Sequence, residues 1–188
     1  MKSMTKRLLA ALLAVAALFA LAGCSKSDKA DAAPKDYTKI LHDARPDKDN
    51  EYYMIFSPGE DGKFTAQYGY SDSYDAAQLD EEIRNMLLPL LNLEEDMYTD
   101  FAASVSGMMV QSYGIAIVKP AEGKTDAVKS ALEAYVTSEQ QSMEHYLEDQ
   151  YQIAKAATVT VAPTGEVILV CAENHDTLLT NIEKALAA

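Results

Sequence analysis

From Met97 to the C-terminus the chain runs through one order of elements twice, and that order constrains its fold more than any other feature. Met97 to Val105 and Met108 to Lys119 are apolar runs that favour strand, and Ser106-Gly107 between them would make the reversal. Pro120 and Gly123 end the second run, and Thr125 can cap a long helix carrying Val128, Leu132, Tyr135, Val136, Met143 and Tyr146 on one side. Thr158 to Ala162 and Glu166 to Ala172 form a second pair across Pro163-Thr164-Gly165, and Asn174 or Asp176 caps a closing helix with Leu178, Leu179, Ile182 and Leu186 inward. Strand, strand, helix, strand, strand, helix predicts an α+β layer: about four antiparallel strands with helices on one face. The two halves share an order but no residue pattern.

Upstream, Tyr37 to Ala44 reads as a short helix stopped by Arg45-Pro46. Glu51 to Phe56 and Lys63 to Tyr68 flank the turn-rich Ser57 to Gly62, a hairpin or a loop. Leu79, Ile83, Met86, Leu87 and Leu90 recur at helical spacing, and Pro89 should kink or end that helix. The fold is thus expected to open with a helical and hairpin segment.

The N-terminus belongs to export. Lys2, Lys6 and Arg7 precede an uncharged run from Leu8 to Ala22, the order of a secretory signal. Fifteen helical residues reach roughly 22 Å against about 30 Å of bilayer hydrocarbon, too short for a good permanent span. The closing Leu21-Ala22-Gly23-Cys24 resembles the lipobox of bacterial lipoproteins. That resemblance implies cleavage before Cys24, with Leu21, Ala22 and Gly23 read by the signal peptidase and a diacylglyceryl group placed on the Cys24 thiol. Two acyl chains hold a protein stably where one holds it marginally. Residues 1–23 are then a signal peptide, 24–36 a lipidated cysteine with a tether, and 37–188 a single domain. Ser25 to Asp36 contains no large apolar residue that could offset the entropy of ordering, and such a chain reaches about 20 Å. The expected place is the extracytoplasmic face of a cell membrane.

Sixteen basic residues against 29 acidic ones give a formal charge of −13, and removing the signal deepens it. Contacts to phosphates are driven by Lys and Arg, so nucleic acid is excluded as an expected partner. With Cys24 lipidated, Cys171 stands alone and no internal disulfide framework can form. Cys171 lies within Val167-Ile168-Leu169-Val170-Cys171-Ala172, where a thiol reads as a small buried hydrophobe. His175, four residues on, is the only hint of a nucleophile.

The chemistry-bearing motifs are sparse. His42, His145 and His175 are far apart and belong to no metal-binding pattern, so neither metal nor cofactor is expected. Glu144, His145 and Glu148 would share one helical turn, equally a solvated acidic face. Asp47 to Glu51 begins like a calcium loop but offers Tyr52 and Pro58 where the pattern needs Gly and an acid. What stands out is a crowd of tyrosines, Tyr52, Tyr53, Tyr68, Tyr70 and Tyr74, in one acidic stretch. Tyrosine presents a rigid apolar body with a polar tip and suits sugar or protein contacts, but it is also a good strand residue.

The stretch Tyr113-Gly114-Ile115-Ala116-Ile117-Val118-Lys119-Pro120-Ala121-Glu122-Gly123, then Asp126-Ala127-Val128, a long helix and the Gly165 hairpin, resembles the domain-of-unknown-function family numbered 4358. Its members are exported lipoproteins, mostly of Gram-positive bacteria. The resemblance covers Met97 to Ala188 and implies a single α+β domain outside the cytoplasmic membrane, with no catalytic residue to carry over. Sequence therefore leads to a non-enzymatic surface lipoprotein that binds a protein or a cell-envelope ligand. Two alternatives stay open: an envelope hydrolase using carboxylates or a weakly held metal, and a structural spacer.

Overall fold

The computed structural model describes residues 34–188. Along the chain come α1 (Tyr37–Ala44), α2 (Asp47–Tyr52), β1 (Ile55–Pro58), β2 (Phe64–Gln67), α3 (Ala76–Glu82), β3 (Tyr98–Val105), β4 (Gly114–Pro120), α4 (Thr125–Met143), α5 (Glu148–Ala156), β5 (Thr158–Val161), β6 (Val167–Cys171) and α6 (His175–Leu186). The strands form one antiparallel sheet of six in the order β2-β1-β3-β4-β6-β5. The fold is α+β as expected, but with six strands instead of four. The N-terminal hairpin adds the other two, joined through the pairing of Phe56 with Ala103.

Helices cover both faces of this sheet, not one. The reason is legible in the strands: Phe101 to Val105, Ile115 to Val118 and Val167 to Cys171 are buried without alternation, so each strand sends apolar side chains to both sides. Phe56, Phe101, Val118 and Leu169 meet Leu79 and Ile83 of the α3 segment and Val128, Leu132 and Tyr135 of α4. Ile55, Ile115, Ile117 and Ile168 point the other way, onto Leu41 of α1 and Leu178, Ile182 and Leu186 of α6.

Pro89 acts on the α3 segment as its chemistry requires. Lacking an N–H, it cannot donate to residue 85. The helix widens into a π turn over Ile83–Leu87, where Leu88 N–H reaches the Ile83 carbonyl, and one more turn, Leu88–Leu90, closes it.

Three elements depart from the sequence reading. Glu51 to Tyr53 do not extend β1. Pro46 instead starts α2, with Asp47 and Asp49 favourable in its first turn. The long helix breaks after Met143, Leu147 is extended, and Tyr146 lies 65% exposed in the connection to α5 instead of on the buried side. Lastly, Ser106 to Tyr113 form a loop closed by Ser106 N–H donating to the Tyr113 carbonyl (2.9 Å), so β4 begins only at Gly114. Met108, Met109 and Val110, which read as strand, are exposed.

Candidate functional site

The site is built at the end of the sheet where β3 and β6 finish. Helix α1 buries Leu41 and Ala44 and stops before Pro46, and the extended backbone at Arg45 turns its side chain into the sheet's end. Arg45 is only 4% exposed. Its Nε donates to Asn50 Oδ1 (2.5 Å), Nη1 to Ser104 Oγ (2.8 Å) and Tyr113 Oη (3.3 Å), and Nη2 to the Tyr53 carbonyl (2.7 Å). Ser104 Oγ in turn donates to the Met54 carbonyl (2.7 Å). Four hydrogen bonds to neutral acceptors offset part of the cost of burying the guanidinium and lock α1, α2, the start of β1 and β3 together.

On that foundation lie aromatic and acidic groups. Tyr53 stacks on Tyr113 with ring centroids 3.8 Å apart and planes 13° apart. Asn50 donates from Nδ2 to the His42 carbonyl (3.0 Å) and accepts at its own carbonyl from Gly69 N–H (2.9 Å), which fixes the approach to Tyr70. Gly69 has φ of +53°, and a Cβ there would stand 2.6 Å from the Met54 nitrogen and the Tyr53 carbonyl carbon. Only glycine allows so close a passage.

The opposite wall is the Ser106 to Tyr113 loop, and the floor reaches α5. Ser112 N–H donates to Gln150 Oε1 (3.0 Å), and Tyr135 Oη donates to the Tyr113 carbonyl (3.0 Å). Between the walls lies a cleft of about 480 Å³, in the size range of small-molecule sites. Tyr52, Tyr53 and Tyr70 line one side; Met108, Ser112 and Ile153 line the other. Asp49, Glu173 and Lys48 supply its charges.

Electrostatics follow from burial. Desolvation raises the Asp49 carboxyl above the usual range, and the neighbouring Arg45, Lys48 and Tyr113 hydroxyl offset this only in part. The Tyr53 hydroxyl is pushed up to about 12, by burial first and then by the negative charges of Asp49 and Glu173. Glu139 on α4 is raised by burial, with the Ser112 hydroxyl offsetting it weakly. Ser112 Oγ and Glu139 Oε2 are both buried and lie within reach of each other without a well-formed hydrogen bond.

Of the five tyrosines singled out by sequence, Tyr52, Tyr53 and Tyr70 come together here and two do not. Tyr68 turns away, its ring 4.1 Å from that of His42. Tyr74 packs against the first core and lines a separate shallow cleft with Gln78 and Met86. Cys24 and Leu21, Ala22 and Gly23 lie outside the described residues. Cys171 is fully buried, its thiol pushed up to about 12 by desolvation. Glu144, His145 and Glu148 do not share a helical turn, because α4 ends at Met143 and α5 starts at Glu148. Among the described residues no three of His, Cys, Asp and Glu gather as a metal-holding group.

Arg45, Asp49, Ser112 and Glu173 were missed by the sequence reading. Arg45 read as a helix stop and Asp49 as part of a failed calcium loop. The usable signal was Arg45 itself, an arginine directly after an amphipathic helix.

An antiparallel six-stranded sheet with helices on both faces and a cleft at one end defines an α+β domain. The chain belongs to the family described as domain of unknown function (DUF4358), whose model matches residues 71–172. The match runs from the turn before α3 to just past β6. It starts earlier than the resemblance over Met97 to Ala188 and stops short of α6. It includes the loop wall and α5 side of the cleft but not Asp49, Tyr52, Tyr53, Tyr70 or Glu173. No curated protein and no solved structure matches the chain.

Proposed function

We propose that this protein is a lipid-anchored binding module on the extracytoplasmic face of a bacterial membrane, with the tyrosine-lined cleft as its ligand site. One observation carries the binding role: the adjacent Tyr52 and Tyr53 and the more distant Tyr70 converge on a cleft of about 480 Å³, beside the exposed Met108 and Met109. Rigid aromatic surface lining a cleft is what a ligand can use, and a domain serving as a spacer does not need it. The anchor is supported by the lipobox-like Leu21-Ala22-Gly23-Cys24.

Two experiments test these parts separately. With labelled fatty acid, the chain should acquire label and partition into membranes, and Cys24→Ala should abolish both; an unlabelled chain sinks the anchor. For the cleft, the full chain in non-ionic detergent is screened by tyrosine-ring NMR against cell-wall fragments, sugars and peptides. A true ligand moves the Tyr52 and Tyr70 resonances, and Tyr52→Ala with Tyr70→Ala removes its binding while Tyr74→Ala does not. A ligand indifferent to the first pair binds elsewhere.

The hydrolase reading retains one supporting observation, the presence of Asp49, with its raised proton affinity, and Glu173 in the same cleft. It requires turnover of an ester or glycoside that Asp49→Asn abolishes.

A further inference from the structure

The two edges of the sheet are finished differently. At the β2 edge, Gly59 N–H donates to the Lys63 carbonyl (2.6 Å). Bonds in an antiparallel ladder alternate, so Phe64 and Ala66 turn their backbone groups outward. Asp80 Oδ1 of α3 accepts from the outward Phe64 N–H (2.7 Å), and Arg84 pairs with Asp80. A carboxylate on an edge donor keeps another strand from using it. At the β5 edge the phase is set by Ala162 N–H, which donates to the Glu166 carbonyl (2.8 Å). Val159 and Val161 therefore turn outward, and among the described residues no group bonds the N–H or carbonyl of either.

The β5 edge also lacks the devices that keep strands apart. Thr158-Val159-Thr160-Val161 pairs with β6 without a bulge and contains neither charge nor proline. The chain has 29 acidic residues, yet none lies from Gln150 to Gly165, through the strand and its flanking connections, which lowers the repulsion between copies along this edge.

We infer that β5 pairs antiparallel with β5 of a second copy of this chain, joining two sheets into one. The occupant follows from the outward groups. A two-fold axis through Thr160 sets Val159 against Val161 of the second copy and Val161 against Val159, so each outward N–H meets an outward carbonyl, and the two Thr160 residues face each other. The same register covers Val161, which is 42% exposed on the face where Val159 meets the core. The chain's own residues 25–33, Ser-Lys-Ser-Asp-Lys-Ala-Asp-Ala-Ala, hold no β-branched or aromatic residue and make a poorer strand for this edge.

Four residues make a small interface, so the pairing is read by trapping. The full chain carrying Cys24→Ala is oxidised mildly in non-ionic detergent; Cys171 is buried and takes no part. Thr160→Cys should give a disulfide-linked dimer, because facing residues of a non-hydrogen-bonded pair have Cα atoms about 4.5 Å apart, within disulfide reach. Thr158→Cys, which meets Ala162 of the second copy and not its own counterpart, should not. Adding Val161→Lys to Thr160→Cys should cut trapping about fivefold, while Val161→Thr, which keeps a strand residue, should leave it unchanged. No trapping at position 160, equal trapping at 158, or indifference to Val161→Lys overturns the pairing. Trapping that appears only once residues 25–33 are deleted shows that the chain's own N-terminal connection holds the edge, and overturns the second copy as occupant.

Discussion

At the end of the sheet where β6 begins, Glu166 is buried and accepts a hydrogen bond from Tyr37 Oη (3.0 Å), with Lys35 Nζ 3.5 Å away. At the end where β6 finishes, Arg45 is buried under a larger set of acceptors, and beyond it lies the cleft. Both ends bury a charge, and both charges tie helix α1 to the sheet. They differ in what lies next to them. Lys35 reaches across to the Leu186 carbonyl at the end of α6, so Glu166 joins the first and last parts of the domain. Arg45 instead fixes a platform of Tyr53 and Tyr113 beside the cleft. A buried charge at one end thus serves closure, and at the other it supports an opening. Glu166 Oε2 is itself buried without a partner, so neither a buried charge nor an unpartnered oxygen distinguishes the two ends; the cleft beside Arg45 does.

Urea unfolding of the full chain can break this comparison. Arg45→Met should have the largest effect, a loss of about 3–4 kcal/mol, because it strands Ser104, Asn50 and the Tyr53 carbonyl. A loss under about 1 kcal/mol would mean that the network is not what holds the platform. Gly69→Ala should cost about 2–3 kcal/mol through its positive φ and its clash with the Tyr53–Met54 backbone, and it should perturb the Tyr53 and Tyr70 ring resonances.

At the other end, Tyr37→Phe should cost about 1 kcal/mol and leave ligand binding in the cleft unchanged. Burial alone would raise Glu166, but hydrogen bonds from Thr164, its own N–H and Tyr37, with the Lys35 charge, outweigh it and hold the carboxyl below its ordinary 4.5. A folded-state value below the unfolded one gives stability that is present above 4.5 and lost as pH falls through the lowered value. Glu166→Gln should therefore remove part of the acid sensitivity; an unchanged profile below pH 4.5 would refute that role. The smallest effect has the opposite sign. Glu139 is raised by burial, so its ionisation opposes folding once pH exceeds its unfolded value and does so fully above its folded one. Glu139→Gln should stabilise by about 0.5 kcal/mol at neutral pH and not at pH 4.

Much of the fold was legible because periodicity survives burial. Leu79, Ile83 and Leu87 gave the α3 segment, Leu178, Ile182 and Leu186 gave α6, and the run from Val167 to Cys171 gave β6. That same run, apolar at every position, already argued for cover on both faces, and the count of helices assigned to one face ignored it. The addition of β1 and β2 to the main sheet was illegible, since it rests on a pairing of Phe56 with Ala103 far away in sequence. In the site, crowding of tyrosines was a true signal for Tyr52, Tyr53 and Tyr70, but spacing could not tell them from Tyr68 and Tyr74. Their separation depends on Gly69, where the chain turns back on Asn50. The loop from Ser106 to Tyr113 was misread as strand because Met108, Met109 and Val110 are as apolar as strand residues, and nothing local records that Met109 would be 88% exposed.

Lys35, where the described chain enters the domain, stands beside Glu166 and the end of α6, whereas the cleft opens past Val105 and Cys171. Strands β3, β4 and β6 separate the two. In a chain tied down through its N-terminus, the leash therefore attaches at the pole opposite the mouth. A ligand can arrive from the surroundings without passing between the domain and whatever surface it is tied to. Under the proposed anchoring at Cys24, occupancy of the cleft should be indifferent to deletions within residues 25–33.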